Sequence, residues 1–120
     1  MKQEIITYLK KLVRIRTQLT EKGKSRNHTL QSLSDLEHIK INLEANEKRF
    51  TETGIAKFFL RNEQRILNII PGRESRSHKK LMKQYNRIRF HCDTIINRRD
   101  TIHRVYNLST SININQHQST

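Results

Sequence analysis

Residues that interrupt helices are scarce in this chain, whose 120 residues include three glycines and one proline. Gly23, Gly54 and the pair Pro71 and Gly72 divide it into four segments. None of the segments contains the Asn-Gly or Asp-Gly turn that marks a β-hairpin. We therefore predict an all-α fold with one helix in each segment.

Cysteine is equally scarce, because Cys92 is the only one. A single cysteine excludes an intramolecular disulfide and fits a reducing compartment. The six histidines never lie three or four residues apart, so they form no close pair on a helix, and one cysteine cannot build a structural zinc site. We predict neither a bound metal ion nor a cofactor.

Long apolar runs are absent as well, since the longest are a few residues and a membrane-spanning helix needs about 20. Charged residues interrupt the apolar ones between Met1 and Lys11, and no small-residue cleavage site follows. We expect a cytoplasmic protein, or one associated with nucleic acid within the cell, that is neither secreted nor inserted in a membrane.

The apolar residues that are present repeat at helical spacing. The segments predicted to be helical are 3–21, 29–53, 55–70 and 77–106, and Gly54 is the expected stop of the second helix. We predict a four-helix, mostly antiparallel bundle with a long C-terminal helix, formed by residues 1–106 as a single domain. The Ser- and Asn-rich residues 107–120 are predicted to be a disordered polar tail.

The last helix has the longest apolar seam, with steps of four and three residues that are typical of helix packing. The seam consists of Leu81, Tyr85, Ile88, Cys92, Ile95, Arg99, Ile102 and Tyr106. Arg99 interrupts it, as Arg16 interrupts the seam of the first helix, and we expect each guanidinium to reach solvent or an acid such as Glu37, Glu44 or Glu47. Hydrophobic residues make up 33% of the chain, so the core is thin and a homodimer is an open alternative.

Acidic residues are outnumbered, at 11 Asp and Glu against 24 Lys and Arg, which gives a net charge of +13. A field of this size attracts polyanions, either nucleic acid or an acidic protein surface. The excess is concentrated at the two ends of the chain, because the second predicted helix carries more acids than bases.

The face of the last helix opposite the seam combines cations with an aromatic ring. Lys83, Phe90 and Arg104 lie directly opposite Tyr85 and Cys92, and Lys80 and Arg87 lie beside them. Cations that follow phosphates and a ring that offers a stacking surface suit single-stranded nucleic acid. The alternative is that Phe90 covers a loop or lies in a dimer interface.

Two further groups of cations extend this candidate surface. Arg73, Arg76, Lys79 and Lys80 precede or begin the last helix, where free N–H groups favour anions. The first helix contributes Lys10, Lys11 and Arg14, some of which could instead pair with the acidic second helix.

Arg98 and His103 are separated by four residues, a spacing that resembles the Arg-x4–6-His motif of the HEPN ribonucleases. That family consists of helical bundles, and the resemblance implies that His103 handles protons while Arg98 binds phosphate. A second match, Arg73 and His78, shows how readily 13 arginines and six histidines produce this spacing. Positions five apart also lie about 140° apart around a regular helix, which opposes a shared site.

We therefore expect a small, non-enzymatic protein that binds or assists nucleic acid, single-stranded or structured, through phosphate contacts with weak sequence specificity. One alternative is an adaptor or inhibitor that docks basic helices on an acidic partner protein. The less favoured alternative is a HEPN-like, metal-independent ribonuclease.

Overall fold

A computed structural model describes the backbone of residues 1–21 and 30–114 and the side chains of residues 1–21 and 30–98. The described residues form helices without any strand, which confirms the all-α prediction. The helices are α1 (Lys2–Glu21), α2 (Leu30–Asn46), α3 (Glu52–Arg61), α4 (Glu63–Ile69) and α5 (His78–Ile114).

The predicted third helix, residues 55–70, is two helices separated by Asn62. The buried Asn62 side chain donates from Nδ2 to the carbonyl oxygen of Phe58 at 2.9 Å and accepts at Oδ1 from Arg65. Asparagine side chains that bond nearby backbone groups compete with the helical hydrogen bonds. The bundle therefore has five helices among its described residues, one more than the glycines and proline indicate.

Gly54 does not end the second helix, and that prediction was wrong. Helix α2 already ends at Asn46, and Gly54 lies in the first turn of α3. Its N–H donates to Thr51 Oγ1 at 2.9 Å, which makes Thr51 the N-cap of α3. A Cβ at position 54 would lie 3.0 Å from that oxygen, so the glycine leaves room for the cap.

The apolar seams form one core. The buried seam residues of α5 are Leu81, Tyr85, Ile88, Cys92 and Ile95. Helix α3 packs mainly against α5 and α1, while α4 packs mainly against α2. The rings of Tyr8, Phe59 and Tyr85 join α1, α3 and α5, with centroids 6.4 and 5.5 Å apart. Because the seam faces inward, the opposite side of α5 faces solvent.

Tyr8 also fixes where α1 meets α5, because its hydroxyl donates to the carbonyl oxygen of Leu81 at 2.9 Å. Burial raises the pKa of this phenol, with a smaller contribution from Tyr85. The hydroxyl therefore stays protonated and remains a donor. This contact places the second turn of α1 beside the first turn of α5, where the candidate surface begins.

Helix α5 continues to Ile114, beyond the predicted end at residue 106. Residues 107–114 contain no glycine or proline that would stop a helix. Residues 115–120 of the predicted tail lie outside the described residues, as do the side chains of Arg99, Ile102 and Tyr106. None of the helices in the described ranges is long and apolar enough to cross a bilayer.

Candidate nucleic-acid interface

The predicted cations at the start of α5 are exposed. Lys79, Lys80 and Lys83 lie within its first two turns, on the side away from the buried seam. Residues three or four apart are neighbours on a helix surface, so Lys83 adjoins both of the others. None of the three makes an ion pair with any part of the chain whose side chains are described.

The loop before α5 adds two more cations. Arg73 and Arg76 are exposed and likewise have no ion-pair partner among the described side chains. Contacts at the base hold the loop: His78 Nδ1 lies 2.8 Å from the carbonyl oxygen of Pro71, and the Ser75 and Ser77 hydroxyls lie 2.9 Å apart. We call Arg73, Arg76, Lys79, Lys80 and Lys83 the basic patch.

Arg87 differs from the basic patch because an acid of the same fold already pairs with it. Its Nη2 donates to Glu4 Oε1 of α1 at 2.7 Å. Both side chains are partly exposed, so the pair is accessible to a competing anion. Sequence reasoning did not identify Glu4, because 83 residues separate the partners and no local pattern connects them.

Phe90 lies one turn beyond Arg87, and 68% of its surface is exposed. Its aromatic contact within the described residues is an edge contact with His91, at a centroid distance of 6.1 Å. Among the residues with described side chains, the ring covers neither a loop nor the core. The prediction that Phe90 lies on the outward face of the helix agrees with this exposure.

Arg89, on the other side of Phe90, belongs to a cluster of ion pairs. It contacts Glu63 Oε2, and its Nη1 lies 2.9 Å from Asp93 Oδ2. Tyr85 donates its hydroxyl to the same Glu63 oxygen at 2.6 Å. The hydrogen bond from Tyr85 is the largest cause that lowers the pKa of Glu63, and the bond from Arg89 is the second. Burial is the largest cause that raises the pKa of Tyr85, and the hydrogen bond to Glu63 is the second.

The three candidate cations of α1 line one open pocket together with Gln3 and Thr7, but they differ in their partners. Lys10 pairs with Glu47, the residue that follows α2, at 3.1 Å, whereas Lys11 Nζ donates to Gln84 Oε1 of α5 at 3.1 Å. Arg14 is exposed and has no ion pair with the described part of the chain. Lys11, Gln84, Glu4 and Arg87 line an open groove of about 270 Å³ between α1 and α5, so Lys11 alone of the three adjoins the α5 surface.

Arg16 does not reach solvent, contrary to one of the two expectations for it. The side chain is 1% exposed, and its Nη2 donates to Ser32 Oγ of α2 at 3.2 Å. Burial lowers the pKa of the guanidinium, and the charge of Glu74 opposes that shift. Arg16 is therefore an interior contact between α1 and α2 and is not available to a ligand in solvent.

Asp35 is the buried acid of the described chain, at 2% exposure. Its Oδ1 accepts from Gln31 Nε2 at 3.0 Å and its Oδ2 from Asn68 Nδ2 at 2.9 Å, and Arg65 Nε lies 3.7 Å from Oδ1. These donors come from α2 and α4. The carboxylate therefore joins two helices and has little capacity left for another ligand.

The described residues contain neither a reactive cysteine nor a cluster of metal ligands. Burial, with a smaller contribution from Asp93, raises the pKa of Cys92 to about 12, so the thiol is protonated at neutral pH. No group of three His, Cys, Asp or Glu side chains in residues 1–21 and 30–98 is arranged to hold a metal ion. Arg98 is exposed, but the side chains of His103 and Arg104 lie outside the described residues, so the ribonuclease-like pair stays a prediction.

Comparison with known proteins adds no relative. No protein-family model matches the chain, and neither a curated protein nor a solved structure is detectably similar to it.

Proposed function

We propose that this protein binds nucleic acid electrostatically, with weak sequence specificity, through the basic patch. The observation that supports this most directly is that the five cations of the patch are exposed and follow one another from the loop into α5, without ion pairs to the described side chains. By contrast, Lys10, Arg87 and Arg89 have acidic partners.

Phosphates are the ligands that suit such a surface. Lys and Arg side chains neutralise backbone phosphates and release the counterions held there, which drives binding without reading sequence. The patch also lies at the N-terminus of α5, where the helix dipole favours anions. The net charge of +13 adds a long-range attraction that accelerates encounter with a polyanion.

The test compares a patch variant with a control of equal charge change. The triple variant K79E/K80E/K83E reverses the charge of the three patch cations on α5, whereas K48E/R49E/K57E reverses three exposed cations near or on α3. Labelled oligonucleotides, single-stranded and duplex, are titrated at several salt concentrations between 50 and 200 mM. We expect steep salt dependence for the wild type and a loss of affinity at least about tenfold larger in the patch variant than in the control.

Two results would contradict the proposal: no binding of wild type at low salt, or equal losses in the two triple variants. Poly-glutamate of matched charge is the competitor that addresses the alternative partner. If it displaces the oligonucleotide as well as unlabelled oligonucleotide does, an acidic protein surface becomes the better candidate, because carboxylates would then satisfy the patch as fully as phosphates.

A further inference from the structure

Phe90 is the one aromatic residue among the described side chains that is largely exposed, and it suggests which form of nucleic acid the chain prefers. We infer that Phe90 is a stacking platform for an unpaired base, so that the protein favours single-stranded over duplex nucleic acid. The inference rests on the proposed function, because the phosphates on either side of that base need the basic patch.

The position of Phe90 relative to the patch follows from helix geometry. Lys79 and Lys83 precede it by 11 and 7 residues, which places both within about 20° of its direction around the axis and about 16 and 10 Å away along it. A strand whose phosphates contact these two lysines can therefore continue along α5 and reach the ring without leaving this face.

The charges beside the ring favour a base there. Arg87 is paired with Glu4 and Arg89 with both Glu63 and Asp93. The nearest cations are thus already neutralised by the fold, while the ring itself is apolar and 68% exposed. A phosphate gains little at such a place, whereas the face of a base gains an aromatic surface.

A base of an unpaired strand can stack on the Phe90 ring, whereas a base within a duplex cannot. In a duplex, each base face is covered by the next base pair, so a ring on a straight helix meets only groove edges or the backbone. In a single strand the faces are accessible, and stacking on an aromatic side chain tolerates any sequence. In duplex DNA, Phe90 could instead contact a thymine methyl group in the major groove, and the experiment has to distinguish this contact from stacking.

The experiment measures affinities for one mixed-sequence oligonucleotide, single-stranded and as a duplex, with the wild type, F90A and F90W. The control is I41A, which removes another exposed apolar side chain, 55% exposed, from α2. We expect F90A to weaken single-strand binding about tenfold and to leave duplex affinity and the salt dependence nearly unchanged. The control I41A should bind both oligonucleotides like the wild type. F90W should restore single-strand affinity.

A spectroscopic readout separates stacking from general loss of surface. The chain has no tryptophan, so F90W introduces the only one, and a stacked base should quench its emission. I41W is the matched probe and should keep its emission. Equal effects of F90A on single strand and duplex, no effect on either, or unquenched F90W emission at saturation would overturn the inference.

These outcomes are distinct from failure of the proposed function. If wild type binds with steep salt dependence but F90A behaves like wild type, only the stacking role is lost. If wild type binds neither oligonucleotide at low salt, both proposals fall.

Discussion

The contact between Glu4 and Arg87 predicts that removing an acid strengthens nucleic-acid binding in a way that total charge does not explain. Arg87 lies on the candidate surface, but its guanidinium donates to Glu4 Oε1 at 2.7 Å. A phosphate has to displace that carboxylate before it can use Arg87. The substitution Glu4→Gln keeps the size of the side chain and removes the competing charge.

The size of the effect follows from the number of phosphates that are neutralised. With the five cations of the basic patch, a single strand should show a slope of log affinity against log salt of about −3.5, because each phosphate contributes about −0.7. Affinity would then fall about 130-fold between 50 and 200 mM salt. Adding Arg87 makes the slope about −4.2 and the fall about 330-fold, whereas K83Q reduces them to about −2.8 and about 50-fold.

The assay is fluorescence anisotropy with a labelled single strand at four salt concentrations in that range. E37Q is the control, since Glu37 is an exposed acid on α2 and its removal changes the net charge by the same amount. An exposed ion pair contributes at most about 1 kcal/mol to folding, so E4Q should remain folded. The reasoning is refuted if E4Q and E37Q give the same slope, or if K83Q leaves the slope of the wild type unchanged.

Three further predictions concern the interior and its edge. Asp35→Ala should lower the free energy of unfolding by about 1–2 kcal/mol, because it removes the hydrogen bonds that Gln31 of α2 and Asn68 of α4 donate to the buried carboxylate; urea denaturation measures this, with exposed Glu37→Ala as the control. The pKa of Glu63 is lowered by folding, so its stabilisation is present above about pH 4.3 and is lost as the pH falls through the lowered pKa; Glu63→Gln should flatten the acid side of the stability profile. Cys92, buried with a pKa of about 12, should resist iodoacetamide at pH 8 in the native protein and react in urea.

Each of these has a clear contrary result. An Asp35→Ala midpoint equal to that of Glu37→Ala would mean that the buried carboxylate does not join α2 to α4. An unchanged acid limb in Glu63→Gln would show that the contacts with Tyr85 and Arg89 contribute nothing to stability. Rapid alkylation of native Cys92 would show that the seam of α5 opens.

The apolar seams and the outward face of α5 were predictable because they depend on helical periodicity alone. Leu81 to Ile95 repeat at steps of three and four residues, so their burial and the exposure of Lys83 and Phe90 follow from one pattern. Periodicity places Arg98 and His103 about 140° apart around the helix, and the side chain of His103 lies outside the described residues.

The pairings between helices were not predictable, since they depend on which helices lie side by side. Glu4 meets Arg87 across 83 residues, and Asp35 meets Asn68 across 33. The break at Asn62 had a local signal, the polar run 61–65 between two apolar stretches, but only its buried contact with Phe58 shows that it ends a helix. Thr51 was not predicted as a helix cap, because Gly54 was interpreted as the end of α2 and not as part of the first turn of α3.

The division of residues 52–69 into α3 and α4 has a consequence for how freely the rest of the sequence can change. This short segment contacts α1, α2 and α5, so each of those helices needs only one side to hold the interior together. The opposite sides of these helices do not pack against the core. Substitutions on those sides are constrained mainly by the need to stay soluble and to bind a ligand. Substitutions on the outward positions of α1, α2 and α5 should therefore change the surface of the protein without changing its interior.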